Sequence, residues 1–295
     1  MPAAVITGGA SGLGRALGEQ CAMRGMDVAL LDLDGDRAVE EAKTLASAHG
    51  VAAHGLRVDV SDPSSVDGAV AEVDARLGAA DVVVSNVGVQ LFGAVERFTD
   101  DEWRWVLDVN VVGSARVARS FLPLLRRSSQ PRLAFTTSSS ILDPGSRLGA
   151  YQASKFAVWG LAETLRLELA DDGIAVTVVF PSGMMSRHLE TSEQAQPETL
   201  RRPIASDEDF EVMVASNPGM ASMLATPEAS RPERRSCCCT VGEPGRGGVP
   251  RSVRLRHPAH AQRARGLRFR APLLPRGPTW RSPTRPNRPT GRRPS

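Results

Sequence analysis

Short runs rich in valine, isoleucine and leucine alternate, over the first 180 residues, with longer segments of helical period. The runs near 3–7, 28–32, 52–58, 81–85, 132–137 and 174–180 predict strands, and the periodic segments near 13–24, 36–48, 63–77, 101–128 and 150–170 predict helices. The strands are almost continuously apolar, as in Val82-Val83-Val84 and Val176-Thr177-Val178-Val179-Phe180. A strand reads this way when both faces of its sheet are covered. Strand-helix alternation on this scale implies an α/β fold, a doubly wound parallel sheet with helices on both faces. Such sheets bind ligands beyond the carboxyl ends of their strands.

From Met184 to about Ala225 the pattern changes to a polar stretch with Pro197 and Pro203, followed by the acidic-apolar segment Asp207 to Val214. This reads as a lid of loop and short helix over the carboxyl edge. Beyond Glu228 the pattern fails, for the last 65 residues hold 17 Arg, 11 Pro and no Lys. Disorder is expected there. The expected organisation is therefore a folded unit over 1–228 and an Arg/Pro-rich tail over 229–295.

Charge sharpens that division. The overall balance is +3, but residues 231–295 carry +15, which leaves −12 on residues 1–230. A tail of that charge would bind phosphate strongly at low salt, so a nucleic-acid arm is one reading of it. The acidic body argues against nucleic acid as the partner. A third reading is out-of-frame translation: three TGC codons for Cys237, Cys238 and Cys239, read one base over, spell leucine.

The remaining composition mainly excludes. Cys21 and the adjacent Cys237 to Cys239 have neither metal-ligand nor disulfide spacing, and the five histidines, read as solvated, lack ligand spacing too. No metal is expected. The apolar start Pro2 to Ile6 meets a glycine loop too soon for a signal peptide, and no apolar run is long enough to span a membrane. A cytoplasmic protein without a membrane partner is the expectation.

Candidate chemistry begins between the first strand and first helix, in Thr7-Gly8-Gly9-Ala10-Ser11-Gly12-Leu13-Gly14. Glycines there permit a tight turn and let backbone N–H groups approach a pyrophosphate at the helix N-terminus, as in Rossmann-type sheets. Asp32 follows 18 residues after Gly14, at the end of the second strand. A carboxylate at that place accepts from both adenosine ribose hydroxyls and repels a 2′-phosphate, favouring NAD over NADP. The plainer reading of Asp32 is a strand-end cap.

Tyr151 is the only tyrosine, and Lys155, four residues on, is one of two lysines among 36 basic residues. In a chain that uses Arg so heavily, a retained lysine suggests a site where only a compact ammonium works. The i, i+4 spacing places both side chains on one helix face. A phenol brought from pKa near 10 to about 7 requires roughly 4 kcal/mol of phenolate stabilisation, which an ammonium and a cationic nicotinamide can jointly supply. The plainer reading is a surface tyrosine beside a solvated lysine.

Together these residues resemble the short-chain dehydrogenase/reductase family, over roughly residues 3–190. Thr7 to Gly14, with Gly8, Ser11, Gly12, Leu13 and Gly14, matches its TGxxxGxG loop, and Tyr151 with Lys155 matches its YxxxK. Asp59 and Val60 resemble the family's adenine-contacting pair, and Asn86 and Gly88 its NxG turn. Asn110 falls at the family's catalytic asparagine, and Ser138 at its catalytic serine, although Ser139 and Ser140 stand beside it. Plainer roles exist for each: Asp59 as a turn cap, Asn86 as a residue tolerating a left-handed turn, Asn110 at a helix kink. Pro181 matches the family's PG step, with Ser182 replacing its glycine; Met184 and Ser186 follow, Ser186 in the place of the usual threonine.

The resemblance implies an NAD-dependent oxidoreductase acting on a secondary alcohol or ketone. It assigns Tyr151 as general base, Lys155 to lower the tyrosine pKa and hold the nicotinamide ribose, Ser138 to bond the substrate oxygen, and Asn110 to anchor a proton-carrying water. It also implies a seventh strand, which the pattern lacks, and a homo-oligomer, dimer or tetramer, with Trp103, Trp105 and Trp159 either at the contact or in the core. Met184, Met185, Met213, Met220 and Met223 either line a pocket for a small hydrophobic substrate or pack the lid. The competing readings are an NAD(H)-binding protein without turnover and nucleic-acid binding through the tail.

Overall fold

A computed structural model describes residues 1–142, 144–181 and 188–216. Six parallel strands, β1 (Ala3–Thr7), β2 (Asp27–Asp32), β3 (Ala53–Arg57), β4 (Val82–Ser85), β5 (Arg132–Thr136) and β6 (Ala175–Val179), form one sheet in the order β3-β2-β1-β4-β5-β6. The order reverses between β1 and β4, which opens a crevice at their carboxyl ends. The expected doubly wound sheet is thus present, with each strand within two residues of the boundaries read from the sequence.

Alternate residues of the inner strands feed two different cores. Val5, Ala29, Leu31 and Val83 join one cluster with Val106, Phe121, Leu125 and Phe135, while Ala4, Ile6, Val28, Leu30 and Val84 join another with Ala42 and Leu45. This period-2 division is the physical cause of the continuous apolar runs.

The covering helices are α1 (Gly12–Ala22), α2 (Gly35–His49), α3 (Pro63–Leu77), α4 (Asp100–Leu107), α5 (Gly113–Leu125) and α6 (Gly149–Glu168). Local chemistry sets their starts. Asp34 accepts from the amide of Arg37 and Asp62 from that of Ser64, and Thr99 with Glu102 forms a reciprocal capping box for α4.

The single helix expected over 101–128 is a correction. The segment is divided into α4 and α5 by a π-helical turn, Asp108–Val112, whose wider i→i+5 bonding brings Asn110 into the interior, where it is fully buried. Two further helices, α7 (His188–Gln194) and α8 (Asp207–Ser216), form the described part of the expected lid. The lid is attached by polar contacts: Arg202 pairs with Glu102, Asp209 with Arg97 and Arg147, and the amide of Phe92 donates to the Ile204 carbonyl at 2.8 Å. Met213 is 1% exposed, so it packs the lid. Trp105 is likewise in the core, with Trp103 packed against it. Met184, Met185, Met220, Met223 and the whole tail lie outside the described residues.

Candidate active site

The crevice begins where β1 ends. Thr7 ties the two strands that diverge there: its hydroxyl donates to the Val84 carbonyl and accepts from the amides of Asn86 (2.9 Å) and Val87 (3.2 Å). The chain then turns through Gly8 at φ 65°. A Cβ on Gly14, one turn into α1, would lie 2.0 Å from the Gly8 carbonyl oxygen, so helix and loop are in contact through bare backbone. Ser11, at the N-cap of α1, makes no side-chain bond to that helix. The first-turn amides of α1 therefore face the loop without a side-chain cap, which fits an anionic group.

Asp32 stands beside this loop. Its two oxygens accept from the amides of Ala10 at 2.9 Å and Asp34 at 3.1 Å, and a depression lined by Leu33, Asp34, Gly35, Asp36, Val39 and Arg57 opens next to it. Burial pushes its carboxyl up, against the opposing pull of those amides. Both readings of Asp32 are thus compatible with its place, since the strand-end bonds leave lone pairs on each oxygen.

Asn86 has no left-handed backbone, which removes that reading of it. Instead it fastens three strand ends, donating to the Thr7 carbonyl at 3.1 Å and accepting from Thr136 Oγ1 at 3.0 Å. Asn110, from the π-turn, clamps the loop after β4: Oδ1 accepts from the Val89 amide at 2.7 Å, while Nδ2 donates to the Val89 carbonyl at 2.9 Å and to Ser154 Oγ at 2.8 Å. Both amide hydrogens are committed. The anchoring of a water by Asn110, expected above, has only the second lone pair of Oδ1 left in the side chain. Gly88 lies against this clamp, since a Cβ there would come within 2.8 Å of Lys155 Nζ.

Tyr151 and Lys155 do share one face of α6, buried to 9% and 3% exposure, so the surface reading of the pair is wrong. Lys155 Nζ lies 5.7 Å from the centre of the Tyr151 ring and donates to the Thr136 carbonyl at 3.1 Å. The Ser138 side chain lies close enough to the Tyr151 phenol to pull its pKa down. Ser138 Oγ also accepts from the Ser140 amide at 3.2 Å, whereas the Ser140 hydroxyl is buried without a partner and the Ser139 amide is spent on the Pro181 carbonyl. Among three consecutive serines, only Ser138 is brought to the phenol.

The electrostatics depart from the sequence expectation. Burial pushes the Tyr151 phenol above its ordinary value, the Ser138 side chain opposing it, and burial lowers Lys155 to about 8. A desolvated ammonium paired with a neutral carbonyl is itself destabilised, so in the chain alone it does not hold the phenol ionised.

His188 corrects the reading of the histidines as solvated. It begins α7, half-buried, with its ring centre 6.1 Å from that of Tyr151. Burial first, and then the positive charge of Lys155, lower it to about 4. Nothing in spacing or periodicity marks a residue that reaches the site from a separate segment. Ser154 and Thr136, also missed, act through hydroxyl and carbonyl, and only their adjacency to motif residues hints at them.

Asp59 follows its plainer reading in part. Its Oδ1 accepts from the amide and hydroxyl of Ser61 at 2.8 and 2.6 Å, and Val60, buried, offers its carbonyl to Arg116. Pro181 ends the described chain after β6, and Met184 and Ser186 lie outside the described residues. Among the described residues no cluster suits a metal ion and no helix is long and apolar enough to cross a membrane.

The comparisons with known proteins bear on the family. Residues 2–197 match the family model described as short chain dehydrogenase. The chain is 32% identical over 225 residues to a 3-dehydrosphinganine reductase of Arabidopsis thaliana, covering 75% of this chain and 68% of that protein. It spans 58%, 61% and 62% of three other curated relatives. A short chain dehydrogenase/reductase of Burkholderia phymatum, solved with NAD, superimposes with a TM-score of 0.66 at 30% identity over 75% of this chain and 78% of that one. An alcohol dehydrogenase from the archaeon Thermococcus sibiricus, solved with 5-hydroxy-NADP, gives 0.61 at 30% identity over 63% and 78%. With a glycine turn packed on bare helix backbone at one end of the crevice and a buried Tyr-Lys pair at the other, the chain belongs to the short-chain dehydrogenase/reductase family.

Proposed function

We propose that the chain is an NAD-dependent oxidoreductase interconverting a small secondary alcohol and its ketone. The observation that carries this reading is the Tyr151 phenol, buried beside Lys155 and under the influence of the Ser138 side chain, at the carboxyl edge of the sheet. Gly8 to Gly14 and the amides of α1 would hold the pyrophosphate, Asp32 the adenosine ribose, and Lys155 the nicotinamide ribose. When bound, the cofactor supplies the hydride acceptor or donor together with a positive charge in its oxidised form. Ser138 orients the substrate oxygen, and Tyr151 takes the hydroxyl proton during oxidation and returns one during reduction.

The raised phenol pKa gives the two directions different demands. Reduction uses Tyr151 in the protonated form that the chain itself favours. Oxidation requires the phenolate, so it depends on positive charge beyond what Lys155 provides. Asp32, whose carboxylate disfavours a 2′-phosphate, supports NAD over NADP.

NADH and NADPH fluorescence titrations, followed by turnover of a panel of secondary alcohols and ketones by the parent and Tyr151→Phe, test the reading. Tighter binding of NADH and turnover lost at least 100-fold in the variant are expected. Equal turnover in both proteins rejects the general base, and tighter binding of NADPH rejects the cofactor.

A further inference from the structure

We propose that Asp209 of the lid is a positioning residue for Tyr151: its carboxylate, by pairing with Arg147, keeps the backbone that enters α6 in a left-handed turn, and that turn aims the phenol. The part played by Tyr151 in turnover rests on the oxidoreductase reading, whereas the coupling of lid to helix rests on geometry.

Tyr151 stands in the first turn of α6, whose N-cap residue, Leu148, makes no side-chain bond to the helix. The entry of the helix must therefore be set from outside it. Among the described residues Arg147 is the one non-glycine residue with positive φ, at 67°. An L-residue is less stable in that conformation than glycine, which has no Cβ to clash, so Arg147 has to be held there. Backbone bonds supply part of the hold: the Gly93 amide donates to the Arg147 carbonyl at 3.1 Å, and the Ser146 amide to Ser216 Oγ at 2.9 Å. Gly149, the first residue of α6, lies against Val95, for a Cβ there would come within 2.6 Å of Val95 Cγ2. The first turn is thus packed on the segment that follows β4, and a change of angle at Arg147 carries into it.

The rest of the hold is electrostatic. The Arg147 side chain is 23% exposed, and its Nε lies 3.3 Å from Asp209 Oδ1. That Nε makes no hydrogen bond, so the attraction is one of charge. The Asp209 side chain is 5% exposed, where screening is weaker than at the surface; Arg97 pairs with the same oxygen and the Ser206 hydroxyl donates to Oδ2 at 2.8 Å. Glu208, the other acid near Arg147, is 3.9 Å away and 73% exposed, and contributes little. Seating α8 therefore brings a charge to a strained backbone four residues before Tyr151. A small displacement of a reacting group costs turnover, but it does not cost the binding of a cofactor held at the glycine turn.

The test uses the only tyrosine as a probe, since the chain made with fluorotyrosine gives a single fluorine resonance, that of Tyr151. Three variants are compared with the parent, with kcat measured on unlabelled protein. Asp209→Asn keeps an acceptor for Ser206 and removes the charge. Arg147→Ala removes the guanidinium and keeps the unfavourable backbone, whereas Arg147→Gly removes both. Asp209→Asn and Arg147→Ala are expected to shift or split the resonance and to lower kcat about tenfold, with NADH affinity within about twofold of the parent. Arg147→Gly should restore the parent resonance and most of kcat, and should do so in the Asp209→Asn background as well. A glycine that fares no better than alanine overturns the proposal, because the side chain would then hold only the lid; so does an Asp209→Asn protein with the resonance and kcat of the parent. The fluorine pattern needs no substrate: found in a protein that turns over no alcohol or ketone, it rejects the oxidoreductase reading and leaves the coupling standing.

Discussion

Lys155 donates to the Thr136 carbonyl at 3.1 Å from a position only 3% exposed, and the loss of hydration around this buried ammonium, which the neutral carbonyl does not make good, brings its pKa to about 8. The unfolded chain keeps the lysine proton until pH approaches its ordinary value of 10.5. Between those limits the unfolded state binds more protons than the folded one, so stability rises with pH. The destabilisation is fully present below pH 8 and is relieved on approach to 10.5, by up to about 3 kcal/mol. Tyr151, with its pKa raised, acts oppositely, but only above pH 10. Urea unfolding of the cofactor-free protein between pH 7.5 and 9.5 should therefore show the parent gaining stability relative to Lys155→Met. Parallel pH profiles would contradict the assignment.

His188 makes the acid side of the profile steep. Its folded pKa of about 4 lies below the ordinary 6.5, so between those values the unfolded chain takes up a proton that the folded chain does not. The contribution is present above pH 6.5 and is lost as pH falls toward 4. His188→Gln removes the titrating group, and its melting temperature should fall less than that of the parent between pH 6.5 and 4.5. Tracking the imidazole C–H resonances over the same range checks the cause directly.

Gly14 provides a prediction from packing alone. A methyl group 2.0 Å from the Gly8 carbonyl oxygen cannot be accommodated by side-chain movement, because both partners are backbone. Gly14→Ala should displace the loop from α1, weaken NADH binding by at least 100-fold and lower the melting temperature. The same substitution at Gly68, where a Cβ meets nothing within 4 Å, should leave binding unchanged.

These three cases also mark what was legible in the sequence. Strands were readable because residues such as Val5 and Ile6 enter separate cores on opposite faces, leaving no polar position to blur the run. The glycine loop and Tyr151-Lys155 were readable because their spacing is local and their residue types are restrictive. The π-turn was not, since widening one helical turn at Asn110 leaves the apolar period around it intact. Nor was the direction of the Tyr151 and Lys155 shifts, which is set by burial under several elements. His188 meets the Tyr151 ring from the separate segment α7, and no sequence interval encodes that approach.

Asn110 should be replaceable only at a cost to both stability and geometry. Asn110→Leu keeps the volume but leaves the Val89 amide and carbonyl unpaired inside the protein, at roughly 1–3 kcal/mol for each group. It also frees Ser154 and the loop that carries Gly88 against Lys155. Denaturant unfolding should register the loss of stability. At a temperature where the variant remains folded, kcat should fall further than NADH affinity, because the clamp adjoins the Tyr-Lys pair and is remote from Asp32. Loss of affinity without loss of kcat would place its action elsewhere.

The lid is held by an ion pair whose asymmetry can be measured. Glu102 is almost completely buried; burial pushes its carboxyl up, but Arg202 and the Thr99 amide together outweigh that and hold it below the ordinary range. The pair therefore stabilises the fold above the ordinary carboxylate pKa, and that contribution is lost as pH falls through the depressed value. Arg202 also lies over the Phe98 ring, with its guanidinium carbon 5.7 Å from the ring centre. Arg202→Met leaves a buried carboxylate uncompensated and should destabilise by about 3–5 kcal/mol. Adding Glu102→Gln to that variant removes the stranded charge and should restore most of the loss, although Glu102→Gln alone weakens the Thr99 capping box. Denaturant unfolding of the four proteins gives the coupling energy, and limited proteolysis within 188–216 reports whether the lid is released first. Strict additivity in that cycle would mean that the contact holds nothing in place.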